Sequence, residues 1–91
     1  MKIQLQNSKE CFLCKTTSNL ERHHIFGGAN RDISEKYNCC VWLCHKHHNE
    51  PPEGVHHNRA YDLMLKQIAE EELERAFGEE RFRKEFGKCW K

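Results

Sequence analysis

Two short pairs of metal-ligand residues constrain this chain more than any other sequence feature. Cys11 and Cys14 form a Cys-x-x-Cys turn, and Cys44 and His47 form a second pair with the same spacing. Zinc takes four ligands in a tetrahedron, and two residues three apart on a tight turn can reach one ion, so structural zinc sites are commonly built from two such pairs. These four side chains therefore predict a structural zinc site that closes residues 15–43 into a lobe.

The composition explains why the fold would need such a site. The chain has 91 residues, of which 37% are hydrophobic and 32% are charged, and it carries six cysteines and seven histidines. A domain this short buries little apolar surface and usually needs an additional constraint. In a reducing compartment this pattern favours a metal site, and the alternative is that the cysteines are only buried or disulfide-bonded. Cys39 and Cys40 point to opposite faces of a strand and are predicted to be buried.

Hydrophobic periodicity predicts an α+β chain in which two short strands precede a long helix. Residues 1–10 read as a loose lead-in. The single turn that carries the second ligand pair is ended by Pro51 and Pro52. Asn58 and Gly78 are expected to cap the long helix. The predicted elements are a strand at 20–26, a helical turn at 34–37, a strand at 39–43, a helix at 58–77 with apolar positions through Ala76, and a short helix carrying Phe82 and Phe86 that ends at Gly87.

A histidine doublet stands at the end of the first predicted strand. Because adjacent strand residues project to opposite faces, one of His23 and His24 can bind an ion while the other accepts a proton from water. Further histidines follow the second strand, and imidazole-rich coordination favours transition metals over magnesium. Trp42 and Tyr37 are expected to fill the core, with stacking on a base as the alternative for either ring.

The order of these motifs resembles the HNH endonuclease family over roughly residues 11–58. The resemblance rests on the Cys-x-x-Cys turn, His23-His24-Ile25 followed by Gly27-Gly28, and Leu43-Cys44-x-x-His47-His48-Asn49. The chain is especially similar to the compact, zinc-containing HNH proteins of phages and prophages, whose tail is likewise a Leu- and Glu-rich helix with a Phe-x-x-x-Phe-Gly segment. That similarity covers almost the whole chain.

The resemblance implies a small ββα-metal core stabilised by structural zinc at 11–58, with amphipathic helices at 58–88, in one domain spanning 1–91. It implies that His24 is the general base and that His23 and His48 bind the catalytic metal. His56 is expected as a further ligand, with His57 as the alternative. The family's middle asparagine corresponds to Asn38, although Cys39 occupies the usual position.

The expected activity is hydrolysis of DNA, by nicking or by double-strand cleavage. The cofactors would be a structural Zn²⁺ and a catalytic divalent ion, which is Mn²⁺, Ni²⁺, Co²⁺, Zn²⁺ or Mg²⁺. The formal charge of +1 does not itself indicate a nucleic-acid binder. Arg22 and Arg31 are the candidate phosphate contacts. The phage resemblance implies genome processing or packaging beside phage packaging proteins, in bacterial cytoplasm, as a monomer or a homodimer.

Two other function classes remain open from the sequence. One is a non-catalytic zinc-binding module that recognises DNA or a protein partner. The other is an interaction protein that docks through the helix at 58–77, which would leave the histidines unexplained. The polar start of the chain, and the lack of any run of about 18 apolar residues, predict an intracellular protein with no membrane partner.

Overall fold

Two antiparallel strands form the centre of the fold, and helices pack around them. The computed structural model describes residues 2–91. Its fold is α+β, as predicted, with a two-stranded sheet. The elements are β1 (Leu20–His24), a 3-10 turn (Gly28–Asn30), α1 (Arg31–Tyr37), β2 (Cys40–Cys44), α2 (His45–Asn49), α3 (Arg59–Phe77) and α4 (Glu79–Phe86).

The register of the sheet decides which residues share a face. Leu20 pairs with Cys44, Arg22 with Trp42, and His24 with Cys40. Because side chains alternate along a strand, Arg22 and His24 lie on one face, and Glu21 and His23 lie on the other. The histidine doublet is therefore split across the sheet.

Helix α1 is longer than the predicted helical turn at 34–37, and it is anchored to the end of β1. The buried Ser34 hydroxyl accepts a hydrogen bond from the Phe26 N–H at 3.0 Å and donates one to the Phe26 carbonyl at 2.8 Å. The helix ends at Asn38, which adopts φ +60° and donates its backbone N–H to Glu35. Asparagine tolerates this left-handed conformation better than most residues.

The long C-terminal helix forms where its periodicity predicts. The Asn58 side chain caps α3 by accepting a hydrogen bond from the Tyr61 N–H at 3.1 Å. Leu65, Ala69 and Leu73 are buried, but Ala76 is exposed and lies outside the core. Gly78 ends the helix with φ +93°, a conformation that favours glycine.

Helix α4 folds back to complete an aromatic core. The Phe82 and Phe86 rings stack at 4.4 Å, and the Phe26 ring lies 4.6 Å from that of Phe86 and 4.8 Å from that of Trp90. Such contacts between rings add to the free energy gained by burying them. The segment after β1 is thereby fixed against the C-terminal end of the chain.

The N-terminal segment is ordered by contacts, so the prediction of a loose lead-in is wrong for residues 2–10. Ile3 is buried and donates its N–H to the Tyr37 carbonyl at 2.9 Å. The Gln6 side chain accepts a hydrogen bond from the Trp42 N–H at 2.7 Å. These contacts tie the segment to the end of α1 and to one backbone group of β2. Met1 lies outside the described residues.

Two further sequence expectations meet different outcomes in the fold. Tyr37 is fully buried, as expected, but Trp42 is only partly buried and carries the Lys9 ammonium 4.4 Å above its ring. Cys39 and Cys40 are both buried, as expected.

No helix within residues 2–91 is long and apolar enough to cross a bilayer.

Candidate metal centres

The first candidate centre joins the N-terminal cysteine turn to the end of β2. Cys11, Cys14, Cys44 and His47 bring one ligand atom each to within 4.8 Å of one another. The turn is held by the Lys15 N–H, which donates to the Cys11 carbonyl at 2.9 Å. These four residues lie close enough to hold a metal ion, and they are the set that the two sequence pairs predict.

The spacing of the ligand atoms fits a tetrahedral ion. The Cys14 and Cys44 sulfurs are 3.8 Å apart. The Nδ1 atom of His47 lies 3.3 Å from the Cys44 sulfur and 3.7 Å from the Cys11 sulfur. Metal–sulfur bonds of about 2.3 Å at the tetrahedral angle separate two sulfurs by about 3.8 Å, and a sulfur and a nitrogen by about 3.6 Å. The observed distances are compatible with zinc.

The protonation state of Cys11 also suits metal binding. Burial acts to raise the pKa of the Cys11 thiol, but hydrogen bonds from backbone N–H groups, led by that of Cys44, lower the pKa to about 6. The thiolate is therefore the main form at neutral pH. Zinc binds the thiolate and not the thiol, so less free energy is spent on deprotonation.

The second candidate centre is a cluster of three imidazoles that includes His48, the residue after the His47 ligand in α2. The rings of His23, His48 and His56 lie with centroids 4.7 to 5.3 Å apart. The Nε2 atoms of His48 and His56 are 3.0 Å apart. That separation suits a hydrogen bond, and it also suits two nitrogens about 2.1 Å from one ion at a right angle. His57 is exposed and lies outside this cluster.

A tight backbone return after α2 brings His56 to this cluster. The Val55 N–H donates to the His47 carbonyl at 2.8 Å, and the His56 N–H donates to that of His48 at 3.4 Å. Gly54 makes the return possible, because a Cβ there would lie 2.7 Å from the Glu50 backbone nitrogen. The proline break therefore redirects the chain without removing His56 from the site.

His23 is buried, and one of its ring nitrogens is available to bind a metal ion. Its ring is 4% exposed, and its Nε2 atom is buried without a hydrogen-bond partner among the described residues. A buried polar atom without a partner is rare, because it loses its interaction with water uncompensated. Burial, followed by the neighbouring His48 and His56 rings, lowers the pKa of His23 to about 4. The ring is neutral at pH 7 and has a free lone pair for a metal.

Glu21 supports this cluster and was not predicted from the sequence. Its carboxylate accepts a hydrogen bond from Nδ1 of His48 at 2.7 Å and from the Asn49 amide at 2.7 Å. The hydrogen bond from His48 is the largest cause that lowers the pKa of Glu21. Holding the proton on Nδ1 leaves Nε2 of His48 to face the cluster, as carboxylates do behind metal-binding histidines. Its position two residues before His23 on a strand was the available signal, since i and i+2 share a face.

His24 lies on the other face of β1 and contacts a second carboxylate that sequence reasoning missed. Its Nε2 atom contacts Glu35 of α1 at short range. The hydrogen bond from His24 is the largest cause that lowers the pKa of Glu35. Because the contact fixes a proton on Nε2, the lone pair of the neutral ring is on Nδ1. A sequence signal for Glu35 is lacking, because the contact depends on where α1 packs.

Asn38 forms a side-chain hydrogen bond with Arg22 and not with His24. The Asn38 amide donates to the Ile3 carbonyl at 2.9 Å, and its oxygen accepts from Arg22 at 3.3 Å. The Arg22 guanidinium also lies 3.4 Å from the Glu35 carboxylate. The structure therefore separates Asn38 from His24 by two intervening side chains, Arg22 and Glu35. The catalytic role expected of Asn38 stays a prediction.

One cleft collects most of the predicted catalytic and DNA-binding side chains. It has a volume of about 370 Å³, and Gly27 and Gly28 form part of its wall. Both candidate phosphate contacts and the general-base candidate line it beside the three imidazoles. The remaining lining residues are Arg22, His23, His24, Arg31, His48 and His56.

No known protein family, curated protein or solved structure matches this chain. What the chain does is therefore inferred from its own side chains.

Proposed function

We propose that this protein is a metal-dependent DNA endonuclease of the HNH type, with a ββα-metal core. The observation that carries the proposal is the cleft in which three clustered imidazoles, a separate histidine and two arginines meet. Hydrolysis of a phosphodiester needs a base for water, positive charge at the phosphate and stabilisation of the leaving oxygen. This cleft offers a residue for each need.

His24 is the proposed general base. Nδ1 of His24 accepts a proton from the attacking water, and the Glu35 carboxylate at Nε2 stabilises the imidazolium that results. His24 is partly exposed, with 15% of its side chain accessible, so water can reach it. General-base assistance of this kind is worth about 10² to 10⁴ in rate.

The proposed catalytic ion is held by His23, His48 and His56, and Glu21 fixes the ring of His48 for this task. When bound, a divalent ion supplies positive charge to the scissile phosphate and to the leaving 3′ oxygen. Imidazole ligands favour Mn²⁺, Ni²⁺, Co²⁺ or Zn²⁺ over Mg²⁺. The Cys11, Cys14, Cys44 and His47 centre has four protein ligands, and we propose that it holds a structural Zn²⁺.

DNA is the proposed substrate because two exposed arginines flank the ligand cluster. Arg22 and Arg31 lie on different elements and both reach the cleft, so they can bind phosphates on either side of the scissile bond. We further propose phage or prophage genome processing in the bacterial cytoplasm as the cellular role, with packaging proteins as partners.

Plasmid nicking tests this proposal. Supercoiled plasmid incubated with the zinc-loaded protein and Mn²⁺ should be converted to nicked or linear DNA, with 5′-phosphate and 3′-hydroxyl ends. A chelator should abolish the reaction. His24→Ala should slow it by about 10² to 10⁴, because the general base is lost, while His57→Ala should cut at the wild-type rate.

A folded, zinc-loaded wild-type protein that leaves the plasmid intact with each of Mn²⁺, Ni²⁺, Co²⁺, Zn²⁺ and Mg²⁺ would contradict the proposal. The protein would then be better described as a zinc-binding module without catalysis. Equal rates for the wild type and His24→Ala would contradict the assignment of the base alone.

A further inference from the structure

A third group of ligand-type side chains surrounds the proposed base on the side away from the three imidazoles. His24, Glu35 and Cys40 each bring one ligand atom to within 4.8 Å of the others. The three residues come from β1, α1 and β2 respectively. They offer a nitrogen, an oxygen and a sulfur, a donor set that suits zinc and other thiophilic divalent ions.

The position of Cys40 follows from the sheet and not from the cysteine-rich zinc lobe. Cys40 pairs with His24 across the two strands, so their side chains share a face and stand side by side. Cys40 is 9% exposed, and it lies outside the four-ligand centre formed by the Cys11 and Cys44 pairs. Neither the proposed catalysis nor the proposed structural zinc uses this thiol.

We infer that His24, Glu35 and Cys40 form an inhibitory zinc site, distinct from both centres described above. On binding, the Cys40 thiol loses its proton to solvent, and the ion takes the thiolate, a Glu35 oxygen and the lone pair of one His24 nitrogen. The remaining nitrogen of the neutral ring then carries the ring proton. His24 has no lone pair left for water, so excess zinc stops hydrolysis.

Arg22 raises the zinc concentration that is needed to fill this site. Its guanidinium lies 3.4 Å from the Glu35 carboxylate and has to move away before an ion can take that oxygen. With 44% of its side chain exposed, Arg22 has solvent to move into. The site therefore fills after the two centres that have no competing cation, which is the order required of an inhibitory site.

Cobalt absorption detects this site independently of activity. The three-imidazole cluster contains no sulfur, so Co²⁺ bound there gives no thiolate charge-transfer band. When the four-ligand centre is already filled with zinc, added Co²⁺ can therefore produce this band only by binding another cysteine. We expect excess Co²⁺ to produce that band in the wild type and in Cys89→Ser. Cys40→Ala should lack it, and Glu35→Gln should need about 10-fold more Co²⁺ to reach it, as for loss of a ligating or supporting group.

The inhibition itself rests on the proposed function, and it is measured separately. In Mn²⁺-supported plasmid nicking, added zinc should inhibit the wild type, and Cys40→Ala should need about 10-fold more zinc for the same inhibition. Circular dichroism of Cys40→Ala checks that the variant is folded. If it is not folded, the cobalt titration of Glu35→Gln, whose side chain is exposed, tests the site without any measurement of nicking.

The outcomes separate the two proposals. A wild type without a thiolate band in excess Co²⁺, or a band that persists in folded Cys40→Ala, overturns the site whether or not the protein cuts DNA. A band with the expected cysteine dependence, together with equal zinc inhibition of the wild type and Cys40→Ala, overturns the inhibitory role. A protein that never cuts DNA fails the proposed function, while the cobalt band still decides the site.

Discussion

Glu21 accepts hydrogen bonds from three side chains of α2, two of which are imidazoles. Only the contact with His48 touches the three-imidazole cluster, and it does so at the nitrogen that faces away from the other rings. Because the lone pair on the far nitrogen is the one a metal needs, the carboxylate acts on metal affinity through ring orientation. On the other face of β1, Glu35 holds His24 in the same way.

Glu21→Gln should weaken binding at the three-imidazole cluster, because a neutral amide holds the His48 proton less strongly than a carboxylate. We expect the affinity for Mn²⁺ to fall by about 10- to 100-fold, with the zinc content of the four-ligand centre unchanged. Isothermal titration of zinc-loaded protein with Mn²⁺ measures this. Glu71→Gln, on exposed α3 surface, is the matched control and should bind as the wild type does. An unchanged affinity in Glu21→Gln would remove the supporting role.

At the scale of elements, the four-ligand centre joins the N-terminal turn to the junction of β2 and α2. The junction also supplies His48, so a metal bound at the four-ligand centre would hold α2 and thereby position the three-imidazole cluster as well. A two-stranded sheet is only marginally stable on its own. Here the Phe12 N–H, within the cysteine turn, donates to the Trp42 carbonyl of β2, and α4 packs an aromatic ring against Phe26, which follows β1.

Cys11→Ser should therefore destabilise the fold, whereas His24→Ala should not. Structural zinc contributes about 10 to 16 kcal/mol in small metal-dependent domains, which is comparable to the whole stability of a typical domain, roughly 5 to 15 kcal/mol. We expect Cys11→Ser to melt without a cooperative transition. The free energy of unfolding of His24→Ala should change by less than about 1 kcal/mol, because the ion-pair contact that is lost is with Glu35, whose side chain is exposed. Thermal denaturation followed by circular dichroism measures both, and equal destabilisation would argue against separate roles for the two centres.

Across the whole molecule, the features that could be predicted from the sequence are those set by residue spacing or by hydrophobic periodicity. The four-ligand group was predicted from the spacing of its two pairs and α3 from its apolar repeat, whereas His23, His48 and His56 were expected from the resemblance to HNH proteins. The contacts of Glu21, Glu35 and the segment at 2–10 could not be predicted, because each depends on the strand register or on how α1 packs. His56 was left open against His57, since the choice rests on the backbone return at Gly54, which no spacing rule describes.

We propose above that the three-imidazole cluster is the catalytic metal site. Initial rates of plasmid nicking by zinc-loaded protein with Mn²⁺ test it when His56→Ala is compared with His57→Ala. The two histidines are adjacent and both exposed, but only His56 belongs to the cluster. We predict that His56→Ala slows nicking by at least about 10-fold, with partial recovery at high Mn²⁺, and that His57→Ala leaves the rate unchanged. Equal rates for the wild type and both variants would contradict a catalytic ion at the three-imidazole cluster.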